Sequence, residues 1–579
     1  MPGRFRLTSI RFRAGAAPSE PPTEFEPSYV TVVVGPNNSG KSLLLKELEQ
    51  WSTGGQVPPV TPWPGGDVLA AASADWPADE EELRAELAER EVPGQILSDQ
   101  QMMIYSFQPE AVGTQGMPGA SVGPGEVAIQ LINIFGLEFG EFCRTMIMQH
   151  FRMRLDGRQR FALADPRQVT SLDRGPSSAV MAVWRDPGKY RRVRDLILAA
   201  TGLHFVVNIA DLPSLSMSLS EQPPPESPVD SLAPEVIAYH RAAVPLQSFS
   251  DGIQIYTGLV VAVFSLPHRV LLVDEPEAYL HPTLARRLGG DLAKVARERQ
   301  ASLVAATHSA EFLMGCVSEV PDTSIVRLTY ESGVATARVL GGTDVAALTR
   351  DPLLRSAEAL RALFSRATVV CEADSDRAFY EEINRRLLAT EHRTGSDDTT
   401  FLNAQNWQTI PTIAAPLRRL GIPAAMVVDL ETLIEGSGWS AIIGALGLED
   451  GTAGPLNQRR SACGNLLAGA GRVGGDGSPY RIKRAGLNAL EAAPRETVRA
   501  FLAELAQYGV FVVPVGELEN WLPPLGVTNK QRWVTEMLVR LGTLGTETYV
   551  PPGAGDVWQF LEEIAAWTHD PNRLGIPVA

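Results

Sequence analysis

Residues 29–42, YVTVVVGPNNSGKS, decide how the front of this chain folds. Residues 29–34 form a short apolar, β-branched run that closes on a glycine, the pattern of a buried parallel strand. Residues 35–42 satisfy GxxxxGK[ST], and the SLLLKELEQW that follows has helical character. Strand, glycine-rich loop and helix in that order make a cradle for phosphates. Glycines let backbone N–H groups curl round the anion, and the helix N-terminus adds a favourable dipole. On this reading Gly35, Asn37, Asn38, Gly40, Lys41 and Ser42 bind ATP. Lys41 reaches the β- and γ-phosphates, and the Ser42 hydroxyl ligates Mg²⁺.

The complementary part lies far downstream. Residues 269–276, RVLLVDEP, read as an apolar strand ending in two acids. Asp274 is placed to hold Mg²⁺ through water, and Glu275 to polarise the attacking water. A strand ending in Asp-Glu is a weak signal alone and a strong one beside a phosphate loop.

A family resemblance enters on these residues. DEPEAYLHP at 274–282 resembles the Walker B and D-loop of ABC-type ATPases of the SMC and RecF kind. FSDGI at 249–253 resembles their LSGGQ signature, with Ser250 and Gly252 matching and Phe249, Asp251 and Ile253 departing. ATHS at 306–309 follows a strand and resembles the switch segment, which makes His308 the sensor of the γ-phosphate. Gln149 is a Q-loop candidate by position alone. In the resembled family the signature of one subunit closes over the ATP of another. One phosphate loop and one signature per chain therefore imply a dimer of identical chains, joined through the ATPase domain.

The 579 residues suffice for roughly three to four domains at about 150 residues each. At 44% hydrophobic and 20% charged the composition is that of a globular protein. No apolar run reaches the ~18 residues that a membrane span needs. The longest, residues 258–266, is stopped by Pro267, His268 and Arg269. The N-terminus shows no signal-peptide pattern. The 4 cysteines, at 143, 316, 371 and 463, form no CxxC pair, so neither zinc nor a disulfide framework is indicated. A cytoplasmic protein with no membrane partner is expected. The net charge of -16 disfavours wrapping nucleic acid over the whole surface, but leaves room for a local basic or metal-bound site.

Strand-like runs alternating with helical segments predict an α/β fold with largely parallel sheets. The expected order is an ATPase domain over 1–350, a helical connector over 351–365, a second α/β domain over 366–530 and a helical extension over 531–579. Residues 52–125 read as an inserted, partly mobile segment, Pro- and Gly-rich around an acidic helix at 78–91. Residues 220–234 read as a loop.

The second half repeats one pattern three times: strand, acid, helix. Residues 367–371 lead to Glu372 and Asp376. Residues 424–428 lead to Asp429 and Glu431. Residues 510–515 lead to Glu517 and Glu519. Parallel strands ending in carboxylates gather them on one sheet edge, where open α/β sheets place their active sites. Such a cluster repels itself unless a cation bridges it, and Mg²⁺ is the hard, oxygen-seeking ion that suits it.

This half resembles a TOPRIM domain. Glu372 and Asp376 match the EGxxD motif with Ala373 in place of glycine, and Asp429 and Glu431 match DxD with Glu in place of the last Asp. Glu519 is similar to a later acid found where TOPRIM follows an ABC ATPase. The resemblance thus implies metal ligation by Glu372, Asp376, Asp429, Glu431 and Glu519, with Mg²⁺ or Mn²⁺. A basic residue often helps catalysis in that setting, and Lys483 in RIKRAGL is the candidate for it, equally readable as a surface phosphate contact. An ABC-type ATPase followed by a TOPRIM half resembles the OLD (overcoming lysogenisation defect) nucleases, to which Gabija-type anti-phage nucleases belong. The implied protein is an ATP-regulated, metal-dependent endonuclease, cutting DNA ahead of RNA in bacterial defence, alone or with a helicase-like or other defence partner. Two other readings stay open: a TOPRIM ribonuclease acting on tRNA, and an ATPase scaffold whose TOPRIM half is inactive.

Overall fold

A computed structural model describes residues 5–577 apart from 19, 54–66, 80, 84–85, 87–93, 99–100, 106–117, 123–137, 158–159, 170–175, 177, 211–212, 226–232, 266–267, 332, 342–344, 346–359, 437, 449–450 and 473–479. The chain divides near residue 346 into two compact units.

The first unit is built on a six-stranded sheet in the order Val334–Leu340, Ser324–Glu331, Val30–Val34, Ser302–Ala306, Val270–Asp274, Arg152–Leu155. Its strands pair in parallel except for the antiparallel edge strand Val334–Leu340. All five residues of Val30–Val34 and of Ser302–Ala306 are buried, as expected for central strands covered on both faces. Each fully buried valine or leucine there contributes roughly 1.5–3 kcal/mol. The parallel direction carries the C-terminal ends of these strands to one edge, where the phosphate loop, Asp274 and the His308 turn all emerge.

Part of the expected insertion is integral to the fold. Leu69–Ala74 pairs antiparallel with Leu7–Gly15, which also pairs with Pro22–Phe25. The carboxylate of Glu47, on the helix behind the phosphate loop, accepts the N–H groups of Val68 and Leu69 at 2.7–3.1 Å. That helix and the entry of the strand are thereby tied together. A further antiparallel meander, Gly94–Ser98, Gln101–Tyr105 and Pro118–Val122, also falls within the expected insertion. Of the expected acidic helix, residues 81–83 and 86 are helical and 78–79 form a bend; the rest lies outside the described residues. So does the expected connector from 351 to 359, and 226–232 of the expected loop.

The second unit carries a four-stranded, all-parallel sheet in the order Thr399–Asn403, Ala367–Cys371, Ala424–Asp429, Val510–Val513. Helices Asp374–Leu388 and Ala492–Gln507 flank it. Helices Trp533–Leu541 and Asp556–His569 contribute Trp533, Met537, Phe560 and Ile564 to the core that holds Val369, Phe379 and Phe511. The segment after residue 531 is therefore part of this unit's core. Arg418 is fully buried, and its guanidinium donates to the carbonyls of Ala424, Tyr508, Gly509 and Gly575. A buried guanidinium is tolerated only when its donors are filled in this way.

The cysteines Cys143, Cys316, Cys371 and Cys463 are all buried free thiols. Among the described residues no helix is long and apolar enough to cross a membrane.

Candidate functional site

In the first unit the phosphate loop links Val30–Val34 to the helix Lys41–Trp51, with Gly40 in a left-handed conformation at the helix N-cap. Lys41 is 6% exposed, its Nζ 3.4 Å from Ser39 Oγ. Ser42 Oγ donates to Asp274 Oδ1 at 2.9 Å. Burial pushes the Asp274 carboxyl up from its ordinary range, and the Ser42 hydrogen bond opposes that shift.

Glu275, the next residue, stands exposed at φ 47°, a left-handed conformation uncommon for a side-chain-bearing residue. Its N–H donates to the Ala306 carbonyl at 2.7 Å. His308 lies in the turn between Ser302–Ala306 and Ala310–Glu319, a helix whose N-terminus Ser309 caps by accepting the Phe312 N–H at 3.1 Å. Burial first, and then the Lys41 ammonium, hold the His308 imidazole below its ordinary pKa; Glu275 acts the other way. Lys41, Glu275 and His308 therefore share one electrostatic environment. Glu277 also belongs here, although its residue type carried no signal in the sequence. It accepts the His308 N–H at 2.8 Å and so joins the acidic turn to the switch turn.

Ser250 immediately precedes the helix Asp251–Ser265. Gly252 lies so near the 274–282 turn that a Cβ there would sit 2.9 Å from the Tyr279 carbonyl oxygen, which explains a glycine at this position. Tyr279 is itself 65% exposed, with its ring edge-on to Phe161. Gln149 falls in the turn Met148–His150, ahead of the strand Arg152–Leu155, whereas Asp274 lies at the C-terminal end of the neighbouring parallel strand.

The second unit brings its acids to one sheet edge. Glu372 follows the strand Ala367–Cys371, and Asp429 ends the strand Ala424–Asp429 beside it. Asp376 stands in the first turn of Asp374–Leu388, where its Oδ2 accepts the Ala373 N–H at 2.9 Å. Ala373 has φ -128°, an extended conformation open to any residue, so alanine in place of the motif's glycine does not strain the backbone. Glu431 lies in the short turn after Asp429. Glu517 and Glu519 follow the strand Val510–Val513.

The carboxylates lie close enough to act on one another's charge. Burial, then Asp376 and Glu431, push Glu372 up to about 7. Burial likewise pushes Asp376 up to about 6, with Glu519 contributing. Asp429 is pushed well above the carboxylate range by burial, then by Glu372, Asp376, Glu431 and Glu517.

Two lysines offset part of that charge. Lys483 Nζ is 2.5 Å from Glu431 and 3.6 Å from Glu517. Lys530 Nζ is 2.7 Å from Glu517 and 4.0 Å from Glu519. Gly516 sets this up. It has φ 100°, and a Cβ there would lie 2.5 Å from the carbonyl oxygens of both Ile482 and Lys483, so only glycine lets the two segments meet. Asn520 fixes the same junction by donating to the Lys483 carbonyl at 2.6 Å. The pairing of Glu517 with both lysines was not legible in the sequence: Lys530 belongs to no motif and sits 13 residues away.

The donor set is all carboxylate oxygen; burial first, and then neighbouring acids, raise Glu372, Asp376 and Asp429, and a hard cation relieves such crowding. Among the described residues no three of the acids close on a common point. The Lys483 and Lys530 ammonium groups draw Glu431, Glu517 and Glu519 toward themselves instead. The set fits a divalent cation by the chemistry of its oxygen donors.

The two sites define a P-loop ATPase unit followed by a TOPRIM-like unit, and comparison with known families agrees. Residues 203–314 match the AAA_21 family, described as an AAA domain of the AbiEii toxin kind from type IV TA systems. Residues 363–430 match the OLD-like TOPRIM family, "Overcoming lysogenization defect protein-like, TOPRIM domain". An AAA-type ATPase domain followed by an OLD-like TOPRIM domain is the order of an OLD-family ATPase–TOPRIM nuclease, and this chain has that order. The two domains indicate ATP hydrolysis and phosphodiester cleavage. A nuclease domain in turn implies binding of nucleic acid.

Among solved structures, the chain is similar to an SMC head bound to the C-winged helix domain of ScpA, at 13% identity and TM-score 0.33, over 58% of this chain and 98% of that one. It is also similar to the SMC head domain from Thermotoga maritima, at 13% identity and TM-score 0.28, over 58% and 99%. No curated protein matches the chain in sequence.

Proposed function

We propose that the chain is an ATP-regulated, divalent-metal-dependent endonuclease that cuts DNA in bacterial defence against phage. The observation that carries this reading is the gathering of Glu372, Asp376, Asp429 and Glu431 at one edge of a parallel sheet, in a chain that also carries a phosphate loop joined to a strand-end aspartate.

In the ATPase domain, proposed to span 1–350, Gly35, Asn37, Asn38, Gly40 and Lys41 hold the phosphates. Ser42 and Asp274 hold Mg²⁺, Glu275 polarises water and His308 senses the γ-phosphate. Ser250 and Gly252 serve the nucleotide of a second copy, so the active assembly is a homodimer. Following a connector over 351–365, the nuclease domain is proposed over 366–530, with the extension beyond it. Its cation, Mg²⁺ or Mn²⁺, is held by Glu372, Asp376, Asp429, Glu431 and Glu519. A divalent cation bound there supplies charge neutralisation and Lewis acidity toward a phosphodiester. Glu372 and Asp429 orient the reacting water, and Lys483 places its ammonium beside the phosphate once released from Glu431. These roles assume a cytoplasmic setting.

The reading is tested by offering plasmid, linear DNA and tRNA with Mg²⁺ or Mn²⁺, with and without ATP. DNA cleavage that responds to ATP is expected. Cleavage of tRNA alone transfers the reading to a ribonuclease toxin, and no cleavage under any condition transfers it to an ATPase scaffold.

A further inference from the structure

Arg160 is 1% exposed, yet it belongs to none of the ATPase motifs. It follows the strand Arg152–Leu155, which lies beside Val270–Asp274 in the sheet. Its Nη2 donates to the main-chain carbonyl of Asp274. The N–H of the same peptide unit, that of Glu275, donates to the Ala306 carbonyl at 2.7 Å. The peptide joining Asp274 to Glu275 is therefore held at both of its polar atoms, from opposite neighbouring segments. The residue that follows this clamp is Glu275, at φ 47°. A glutamate keeps such a conformation only where its surroundings over-determine it.

The charge environment points the same way. Glu277, Glu275, Asp274 and Asp156 all act on the Arg160 guanidinium, with Glu277 the strongest. Its Nε and Nη1 are buried and find no hydrogen-bond partner among the described residues. A guanidinium serving only as a structural strap fills its donors, as Arg418 does in the other unit. Arg160 instead spends one donor on the peptide ahead of Glu275 and keeps its charge among the acids of the ATP site.

We infer that Arg160 is a positioning residue for ATP hydrolysis: it clamps the Asp274–Glu275 peptide and so holds Glu275 in the conformation that presents its carboxylate at the sheet edge. This rests on the reading that Glu275 polarises the attacking water. Arg160 touches no reacting atom and acts through Glu275.

The test compares the full chain with Arg160→Lys, Arg160→Met, Glu275→Gln and the double variant Arg160→Met/Glu275→Gln. ATP hydrolysis, nucleotide affinity and thermal melting are measured on each. Arg160→Met should lower kcat by about 10- to 100-fold, with KM and nucleotide affinity nearly unchanged. Arg160→Lys keeps the charge but loses the fork, so it should fall between Arg160→Met and wild type. Because Arg160 acts through Glu275, the double variant should be no slower than Glu275→Gln alone.

An unchanged kcat in both Arg160 variants overturns the inference. So does a loss in the double variant that multiplies the two single losses, since a structural strap would behave that way. If Arg160→Met does not fold, Arg160→Lys with normal melting and normal kcat overturns it equally. Failure of the wild-type chain to hydrolyse ATP, or full activity in Glu275→Gln, instead overturns the reading of Glu275 on which the inference stands.

Discussion

Ser42 and Asp274 are 232 residues apart in sequence and joined by a 2.9 Å hydrogen bond. The sheet explains it. Val30–Val34 and Val270–Asp274 both pair in parallel with Ser302–Ala306, so their C-terminal ends emerge on the same edge. The serine hydroxyl rests on the carboxylate with which it is proposed to share Mg²⁺.

The first prediction separates binding from hydrolysis at this edge. Lys41→Ala removes a buried ammonium from the phosphate loop and should weaken ATP binding roughly 10- to 100-fold, the effect of losing one charge-assisted hydrogen bond. Glu275→Gln keeps the shape and the loop and should bind ATP normally while hydrolysis stops. Equilibrium binding of a fluorescent ATP analogue beside a phosphate-release assay reads both. Equal loss of binding in the two variants would refute the division of roles.

The second concerns assembly. Ser250→Arg places a bulky cation where the signature is proposed to meet a partner's nucleotide. Neither Lys41→Ala chains nor Ser250→Arg chains alone should hydrolyse ATP. An equal mixture should recover activity, with at most one working site per mixed dimer. Full activity from a preparation that sedimentation shows to be strictly monomeric would remove the dimer from the account.

The third follows from Glu47, whose folded-state pKa is raised by burial from the usual 4.5 to about 7, against the pull of the Val68 and Leu69 N–H groups. Between those two values the folded chain holds a proton that the unfolded chain has released. Glu47 therefore favours folding most below about 4.5, and that contribution is lost as pH rises to about 7. Glu47→Gln keeps an acceptor for the N–H groups and cannot titrate. Relative to this variant, wild-type melting temperature should fall from pH 5 to pH 7 and then run parallel to pH 8. A constant difference across the range would show that Glu47 is not the titrating group.

Much of this arrangement was legible because local pattern and tertiary role agree. The run at 29–34 forms the strand Val30–Val34, and the apolar run before Asp274 forms Val270–Asp274. Ala367–Cys371 begins and ends where its β-branched run does. Leu69–Ala74 was not legible, because LAAASA carries no β-branched or aromatic signal. Its strand state comes from pairing with Leu7–Gly15, some 60 residues earlier, and from the Glu47 carboxylate at its entry. The site shows the same division. Acids placed by strand ends announced themselves. Glu277, Arg160 and Lys530 act through contacts that only the folded chain creates: a neighbouring turn, a main-chain carbonyl, and a carboxylate beyond a bend.

The central claim is that the carboxylate edge of the second unit is a metal-dependent cutting centre separate from the ATPase. The most direct measurement titrates Mg²⁺ and Mn²⁺ in a DNA cleavage assay, with ATP hydrolysis followed on the same preparations, for wild type, Glu372→Ala and Asp429→Ala. Each substitution removes one carboxylate from the cluster. The account predicts that both variants lose cleavage by at least about 100-fold at every metal concentration. Both should keep ATP hydrolysis within about twofold of wild type, an effect below ~0.5 kcal/mol. Cleavage by wild type that persists in both alanine variants would contradict it.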